Sequence, residues 1–523
     1  MNNILFSSLI TRPDLQYLLF RRGWAVSKYK INHPLLSDWK STDAAGWIFM
    51  YHPDARCTIV ESGGRVHFLM GHCYNPFTMQ YSEDEILASI GECMPNTEEH
   101  QKRIDQLTGV FVLGWIDNQG ISFMTDPSGM QSAYWGTCKN DNFILTSHPQ
   151  LIADVYEFEM DPFVKELVAY KWYPRMKGCY LPADLSPYKE LTRIVPDIQY
   201  HYDGMIVSHH RFWPKKDISF FKSEAEYAEG IKIAADILKN GMTLVEKKYS
   251  KPAISLTGGI DSNTTFAAAN GLYDSFETFS YYSAPKEKPD VEAAETIAHS
   301  FNTRHSTIFV PEDEAKVKDF DLKSKILRHN SGYIAERKAN ELRKRIYLEE
   351  VCSYDVEVKS WVSEAIRAYW YKHFNRKSMP RMSAKLYRNL YKIFIGNRSL
   401  AHKIDAIFAD YLKKYEYDKI PLHFDISDMN YLEMSMGSWG SLNISEMQTC
   451  FEITSIYNNR VFLETMLCVP LSDRIADRHH LDMKKYLNKE LYDMNIRVVN
   501  TEETDRRARI LNAIFTANML LPF

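Results

Sequence analysis

Ser255-Leu-Thr-Gly-Gly-Ile-Asp-Ser262 is the stretch whose reading decides the fold of this 523-residue chain. It overlaps the end of Ala253-Ile-Ser-Leu256, which predicts a short strand, and runs into 263–270, which predicts a helix. A strand entering Thr-Gly-Gly at a helix N-terminus gathers backbone N–H groups where the helix's partial positive charge favours phosphate or pyrophosphate. Gly258 and Gly259 permit close backbone approach, and Thr257 and Ser262 add hydroxyl donors. No Gly-Lys-Ser/Thr follows, so this is not a Walker A loop, and the glycines do not make a G-x-G-x-x-G. Asp261 inside a phosphate cradle repels the ligand unless a divalent cation bridges the two, which implies Mg²⁺. A plain Gly-Gly turn would explain the glycines but not the Asp-Ser pair with its strand and helix.

Beyond the loop, 276–282 reads as a second strand, 291–301 as a helix and 303–310 as a third strand. Alternating strands and helices predict a parallel sheet that binds its ligand at the strands' C-terminal ends. Upstream, Ser223 and Glu226 form a capping-box signature, and Tyr227, Ile231, Ala234, Leu238 and Val245 follow at helical spacing. The first two hundred residues predict sheet: a hairpin over 109–117 and 121–125 turning at Asn118-Gln-Gly120, then strands at 143–147 and 206–213. Pro214-Lys-Lys-Asp217 marks a boundary, giving units 1–214 and 215–523. From about residue 324 onward the pattern is mostly helical.

Composition bounds the function. With 63 Lys+Arg against 67 Asp+Glu, a net charge of −4 excludes a chain built on bulk attraction to nucleic acid. The eight cysteines form no C-x-x-C pair, which argues against a zinc ribbon or a redox dithiol and for free thiols in the cytoplasm. The N-terminus has no basic start, and no apolar run is long enough to span a bilayer, though contact with a membrane surface stays open.

The loop resembles the S-G-G-x-D-S signature of the PP-loop ATP pyrophosphatases, with Thr257 for the first serine. That resemblance implies ATP, bound through its pyrophosphate by Leu256, Thr257, Gly258, Gly259, Asp261 and Ser262. Thr278-Phe-Ser-Tyr-Tyr282, Lys288-Pro-Asp290 and Glu292-Ala-Ala-Glu-Thr-Ile-Ala298 look like the asparagine synthetase branch. Gly109-Val-Phe-Val-Leu-Gly-Trp-Ile-Asp117, Asp126-Pro-Ser-Gly129 and Tyr134-Trp135 resemble that family's glutaminase-like fold, and Thr192–Pro196 with Arg211–Pro214 its domain junction. The implied fold class is α/β plus α+β: an N-terminal Ntn-type αββα sandwich, then a PP-loop parallel-sheet domain with a large helical C-terminal part.

Departures from the pattern carry as much weight. A glutamine-hydrolysing domain of this type needs cysteine directly after the initiator methionine, where the freed α-amino group serves as base. Asn2 stands there, and Cys57 comes too late. The resemblance therefore implies a relic that releases no ammonia from glutamine. The second ATP-site motif has its counterpart in Val358-Lys-Ser-Trp-Val-Ser-Glu-Ala-Ile-Arg-Ala-Tyr369, with Ser363 at the family aspartate and Glu364 at the adjacent glutamate. This looks like a divergent bacterial group with an E-[IA]-x-R-x-[FY] version, often encoded with surface-polysaccharide genes. There Glu364 would share a metal with Asp261, while Arg367, three residues on, also admits a simple ion pair with Glu364. Met436–Trp439, Tyr457-Asn-Asn-Arg460 and Val469–Arg474 resemble the helical region closing the synthetase site, with Trp439 read as a core aromatic. Arg497 and Lys489 are candidates, by position, for the late cation beside the leaving pyrophosphate.

Between Ala365 and Lys403 there is no acidic residue, while basic and aromatic residues interleave. Such a run either grips an anionic partner or is the solvated face of inward-packed helices, and the second reading is preferred. The leading expectation is a cytoplasmic ligase that adenylates a carboxylate with Mg·ATP for attack by ammonia or an amine, using Glu364, Arg367 and Arg497. Its substrates would be a small-molecule, glycan or peptide acid, and a homodimer is admitted. The alternatives are an ATP-binding pseudoenzyme or scaffold, prompted by Ser363, and a tRNA-modifying PP-loop enzyme.

Overall fold

The structure is a computed structural model that describes residues 2–138, 142–174, 178–335, 339–392, 394, 396–498 and 501–520. Two antiparallel six-stranded sheets fill the first part of the chain. One runs 191–193, 134–138, 142–146, 24–27, 47–51, 40–44 in spatial order, and the other 207–211, 198–202, 120–125, 108–117, 65–74, 57–62. The expected hairpin is present as Thr108–Asp117 paired with Gly120–Thr125. Its turn is set by the Asp117 carboxylate, which accepts from the Gln119 amide at 2.8 Å. Gly120 has φ +141°, and a Cβ there would meet the Tyr202 carbonyl at 2.0 Å, so only glycine fits.

The sheets pack face to face through Trp47 against Tyr202, Phe49 against Phe68, and Phe143 stacked on Tyr202 at 4.3 Å. The helix Glu83–Gly91 covers one outer face. On the other side Leu5, Leu9, Leu151 and Ile152 join Ala25, Met50 and Ile144 in a second buried cluster. Covered on both faces, Thr108–Trp115 is buried at every position, and alternation disappears from the middle of this strand. The helix Asn2–Thr11 leads into Arg12, which pairs with Asp319 at 2.8 Å and so ties the start of the chain to the helix Phe320–Asn330.

The third sheet is parallel, in the order His305–Phe309, Glu277–Tyr282, Pro252–Ser255, Val356–Val358, Glu452–Thr454. The first three strands in sequence and the helices Ile260–Ala268 and Lys288–Ser300 lie within a few residues of the expected positions. The last two are three-residue strands, too short for any periodicity to betray, set among the helices that make up most of the C-terminal part. In sequence order the sheet reads 3-2-1-4-5, so the order reverses between Pro252–Ser255 and Val356–Val358. The crevice beyond those two C-terminal ends is where a doubly wound sheet binds its ligand.

The 25-residue helix Glu224–Lys248 has Ser223 as its N-cap, accepting from the Glu226 amide at 3.2 Å. Glu226 reaches back to the Lys222 amide and not to that of Ser223, a shifted version of the expected box. Tyr227, Ile231, Ala234, Leu238 and Val245 are all buried along it. Arg211 ends the expected 206–213 strand early, at Val207–Arg211, just before a cis Trp213–Pro214 bond.

The antiparallel sheets meet the parallel one at Asn458, Asn459 and Arg460. Asn458 donates to Asp126 and to the Gly109 carbonyl, both at 2.7 Å. Arg460, fully buried, donates to Asp197 at 2.9 Å. The Tyr457–Arg460 segment thus joins the sheets, beyond its expected part in closing the synthetase site, and only Tyr457 reaches the loop, with its hydroxyl 3.3 Å from the Asp261 carbonyl.

Candidate active site

The loop after Pro252–Ser255 is shaped by its own side chains. Ser262 Oγ accepts from the Thr257 amide at 3.1 Å and lies 2.9 Å from Thr257 Oγ1, which accepts from the Gly259 amide at 3.1 Å. Asn263 donates to the carbonyls of Thr257 and Gly259. The two hydroxyls thus brace the loop as well as lining the cavity beside it. Gly258 has a packing role. A Cβ there would meet Val498 Cγ2 at 2.3 Å, and its carbonyl accepts from the Val498 amide at 3.2 Å, so this glycine admits a covering segment of chain. Gly259 is the N-cap of Ile260–Ala268 and is crowded only by Thr257 Oγ1, which leaves its ligand side open. The helix N-terminus therefore opens on a cavity of about 370 Å³ lined by Leu256, Thr257, Gly259, Asp261 and Ser262.

Asp261 has close partners from two distant segments. Ser363 Oγ donates to Oδ1 at 2.6 Å, and the Arg367 guanidinium pairs with Oδ2. His480 Nε2 stands 3.4 Å from Oδ1. Burial opposes the charge on Asp261, but Arg367, His480 and Ser363 outweigh it and hold the carboxyl well below the usual range. Arg367 also grips both oxygens of Asp477 with one edge, Nε and Nη2, at 2.8 and 3.0 Å, and Lys372 pairs with the same carboxylate. Burial and the Arg367 charge push the Lys372 amine down to about 8, against the pull of Asp477. Glu364 accepts from the Tyr431 hydroxyl at 2.8 Å. Arg367 thus commits its guanidinium to two other acids in place of the simple pair with Glu364.

The other wall begins where Val356–Val358 ends. Lys359 is buried, with Nζ 2.6 Å from Glu357, and Ser360 Oγ accepts from Thr265 at 3.0 Å. A 3₁₀ turn, Ser363–Arg367, follows between two residues in left-handed backbone, Val362 at φ 78° and Ala368 at φ 51°. A β-branched residue seldom adopts that conformation, and it persists only where the surroundings impose it. A second cavity of about 730 Å³ opens beyond this wall and shares Tyr281, Lys344, Lys359, Trp361 and Glu364 with the first. Trp439 lines it, stacked on Trp361 with ring centroids 5.3 Å apart, so it is more than the core aromatic expected.

The expected late cations separate. Arg497 Nη2 stands 3.4 Å from Asp477 and borders a cavity of about 320 Å³ beside Ile260, at the head of the same helix. Lys489 instead pairs with Asp493 on the surface, with 71% of its side chain exposed, which places it away from the site. Lys359, Lys344, Asp477 and His480 were not singled out from the sequence. Lys359 lay within the quoted motif, whereas Lys344 and His480 sit on helices and Asp477 in the turn before one, with nothing local to mark them. The basic stretch divides: besides Arg367 and Lys372, Arg376 bonds Asn512, Arg388 bonds Asp405 and Lys392 lies against the rings of Tyr173, Tyr180 and Tyr391, whereas Lys377, Arg381 and Arg398 are exposed and Lys403 pairs with Glu166 on the surface.

A family model described as asparagine synthase matches residues 250–323, the stretch that carries the loop and the first three parallel strands. No curated protein matches the chain. Among solved structures it is similar to a glutamine phosphoribosylpyrophosphate amidotransferase from B. subtilis complexed with ADP and GMP, at 9% identity over 56% of this chain and 61% of that one, with a TM-score of 0.23. It is also similar to an allosteric regulatory enzyme of purine biosynthesis, at 10% identity over 65% and 90% of the two chains, with a TM-score of 0.25. Both likenesses are too slight to bear on the fold. Residues 250–323 are thus asparagine synthase-like, in a mixed α/β chain with two antiparallel sheets, one parallel sheet and a largely helical C-terminal part.

Proposed function

We propose that this protein is an ATP-dependent carbon–nitrogen ligase that activates a carboxylate as its acyl-adenylate and yields an amide, AMP and pyrophosphate. The observation that carries this reading is the pair of cavities sharing a wall at Lys359 and Glu364, one of them headed by the Thr257–Ser262 loop. ATP fits the first cavity, its pyrophosphate at the start of the helix Ile260–Ala268, where backbone N–H groups and the helix dipole stabilise negative charge. The acid occupies the second, with its carboxylate at the shared wall beside Lys359. A carboxylate oxygen attacks the α-phosphorus and the bond to pyrophosphate breaks. The nitrogen of ammonia or an amine then attacks the acyl carbon, AMP departs, and the nitrogen gives up a proton to solvent.

At about 730 Å³ the second cavity lies within the roughly 300–1,000 Å³ of sites for drug-sized ligands, which favours an acid larger than a single small amino acid. Residues 1–214 act as a glutaminase-like unit without glutaminase activity. Residues 215–523 form the synthetase unit, and the divergent bacterial branch remains the preferred placement. No helix among the described residues is long and apolar enough to cross a membrane, and all eight cysteines are free thiols, which supports the cytoplasm. Acid-dependent exchange of labelled pyrophosphate into ATP tests the reading, with no glutamate released from glutamine. Ser363 at the motif position favours one rival, an ATP-binding scaffold, which would bind ATP yet show no exchange with any acid tried.

A further inference from the structure

We infer that the cation facing Asp261 in this protein is the guanidinium of Arg367 rather than a divalent metal, and that Arg367, clamped by Asp477, is the built-in counter-charge for pyrophosphate. The inference rests on the ligase reading of the same site. Mg²⁺ takes near-octahedral oxygen ligands, usually one or two carboxylates with water and phosphate. Here one oxygen of Asp261 accepts the Ser363 proton at 2.6 Å and the other is paired with Arg367. Ser363, standing at the family's aspartate, is a neutral donor to Asp261 and not a second anionic ligand. Glu364, the other expected ligand, accepts from Tyr431 at 2.8 Å. Among the described residues no group of three or more His, Cys, Asp or Glu is placed to hold a metal ion. The donor set does not fit the ion.

What it fits is an anion. Asp477 takes Nε and Nη2 of Arg367 and Asp261 takes Nη1, which uses three of the five N–H donors. The remaining two project from a fork whose orientation is fixed by the two acids. Lys372 and Arg497 share Asp477, so three cations share two carboxylates within this network. Asp261 thereby ceases to repel a phosphate, which removes the reason for a bridging metal. The left-handed residues Val362 and Ala368 on either side of Ser363–Arg367 turn this short segment so that both Ser363 and Arg367 reach Asp261.

Calorimetric titration of the full chain with inorganic pyrophosphate, in excess EDTA and in Mg²⁺, tests the inference. Wild-type affinity is expected to differ by less than about threefold between the two conditions. Arg367→Met should lose at least about tenfold in EDTA and regain most of it with Mg²⁺, because the ion then shields a bare Asp261. Arg367→Lys keeps the charge and should stay close to metal-independent, which covers the case in which the methionine variant does not fold. In parallel, Mn²⁺ titrated without pyrophosphate should show no bound ion by electron paramagnetic resonance. The inference is overturned if wild type needs Mg²⁺ for binding, or if it holds a Mn²⁺ ion that Asp261→Asn removes. Either outcome leaves the ligase reading intact, whereas failure to bind pyrophosphate or ATP in both conditions sinks the ligase reading and this inference together.

Discussion

Asp126 and Asp261 occupy places that look alike in the sequence, each beside a strand end and in a turn with glycine, yet the fold uses them in opposite ways. Asp126 is fully buried and accepts from the amides of Phe111, Ser128, Met130 and Gln131 and from Asn458 Nδ2. Its oxygens are saturated mostly by backbone donors that cannot move away, so it locks the turn and ties it to the parallel-sheet region. Asp261 borders a cavity, and its carboxylate is met by side chains, Ser363 and Arg367. Side-chain partners can be exchanged for a ligand's charge at low cost; backbone partners cannot. A carboxylate's role is set by who satisfies it.

The contrast is sharpest in alanine variants. Asp126→Ala strands several buried donors, and the loss should approach the roughly 3–5 kcal/mol seen when one partner of a buried network is removed. Thermal melting and soluble yield should fall together. Asp261→Ala should cost only about 1–2 kcal/mol, because Arg367 keeps Asp477, while pyrophosphate exchange drops by about tenfold or more as the fork loses one of its two holders. If the two variants melted alike, the distinction would collapse. Gly258→Ala costs less stability than either: its Cβ would displace the covering Val498, so we expect about tenfold weaker nucleotide binding with little change in melting temperature.

A pH titration sharpens the functional half. Lys372 has a folded pKa of about 8, below its ordinary 10.5. Between those values the unfolded chain holds the extra proton, so this residue makes stability rise with pH over that window. The site meanwhile loses a positive charge, and pyrophosphate affinity should fall as pH passes 8, by up to about tenfold. A flat affinity from pH 7 to 10 would remove Lys372 from the counter-charge. The smallest effect belongs to Lys489→Ala, which should leave exchange unchanged and stability within about 0.5 kcal/mol.

Much of the parallel sheet was legible because its signals are contiguous. The loop, three strands and two helices of 252–310 each declare themselves through neighbours in sequence. The strands Val356–Val358 and Glu452–Thr454 did not, since three residues carry no period and their partners lie about a hundred residues away. Arg367 and Asp261 were both read as site residues, but their pairing was not, and Asp477 was missed because it lies 110 positions further on. Thr257 and Ser262 were read as ligand donors, and that they also brace the loop through each other was not legible.

By itself the sequence determined that a glycine-bearing loop would join a strand to a helix, because spacing, turn chemistry and helix polarity act over a handful of residues. The tertiary structure alone decided which positive group faces Asp261, which wall separates the two cavities and which aspartate is a keystone. Those outcomes depend on side chains brought together from distant segments, where burial makes the choice of partner, and not the residue type, fix what a charge can do.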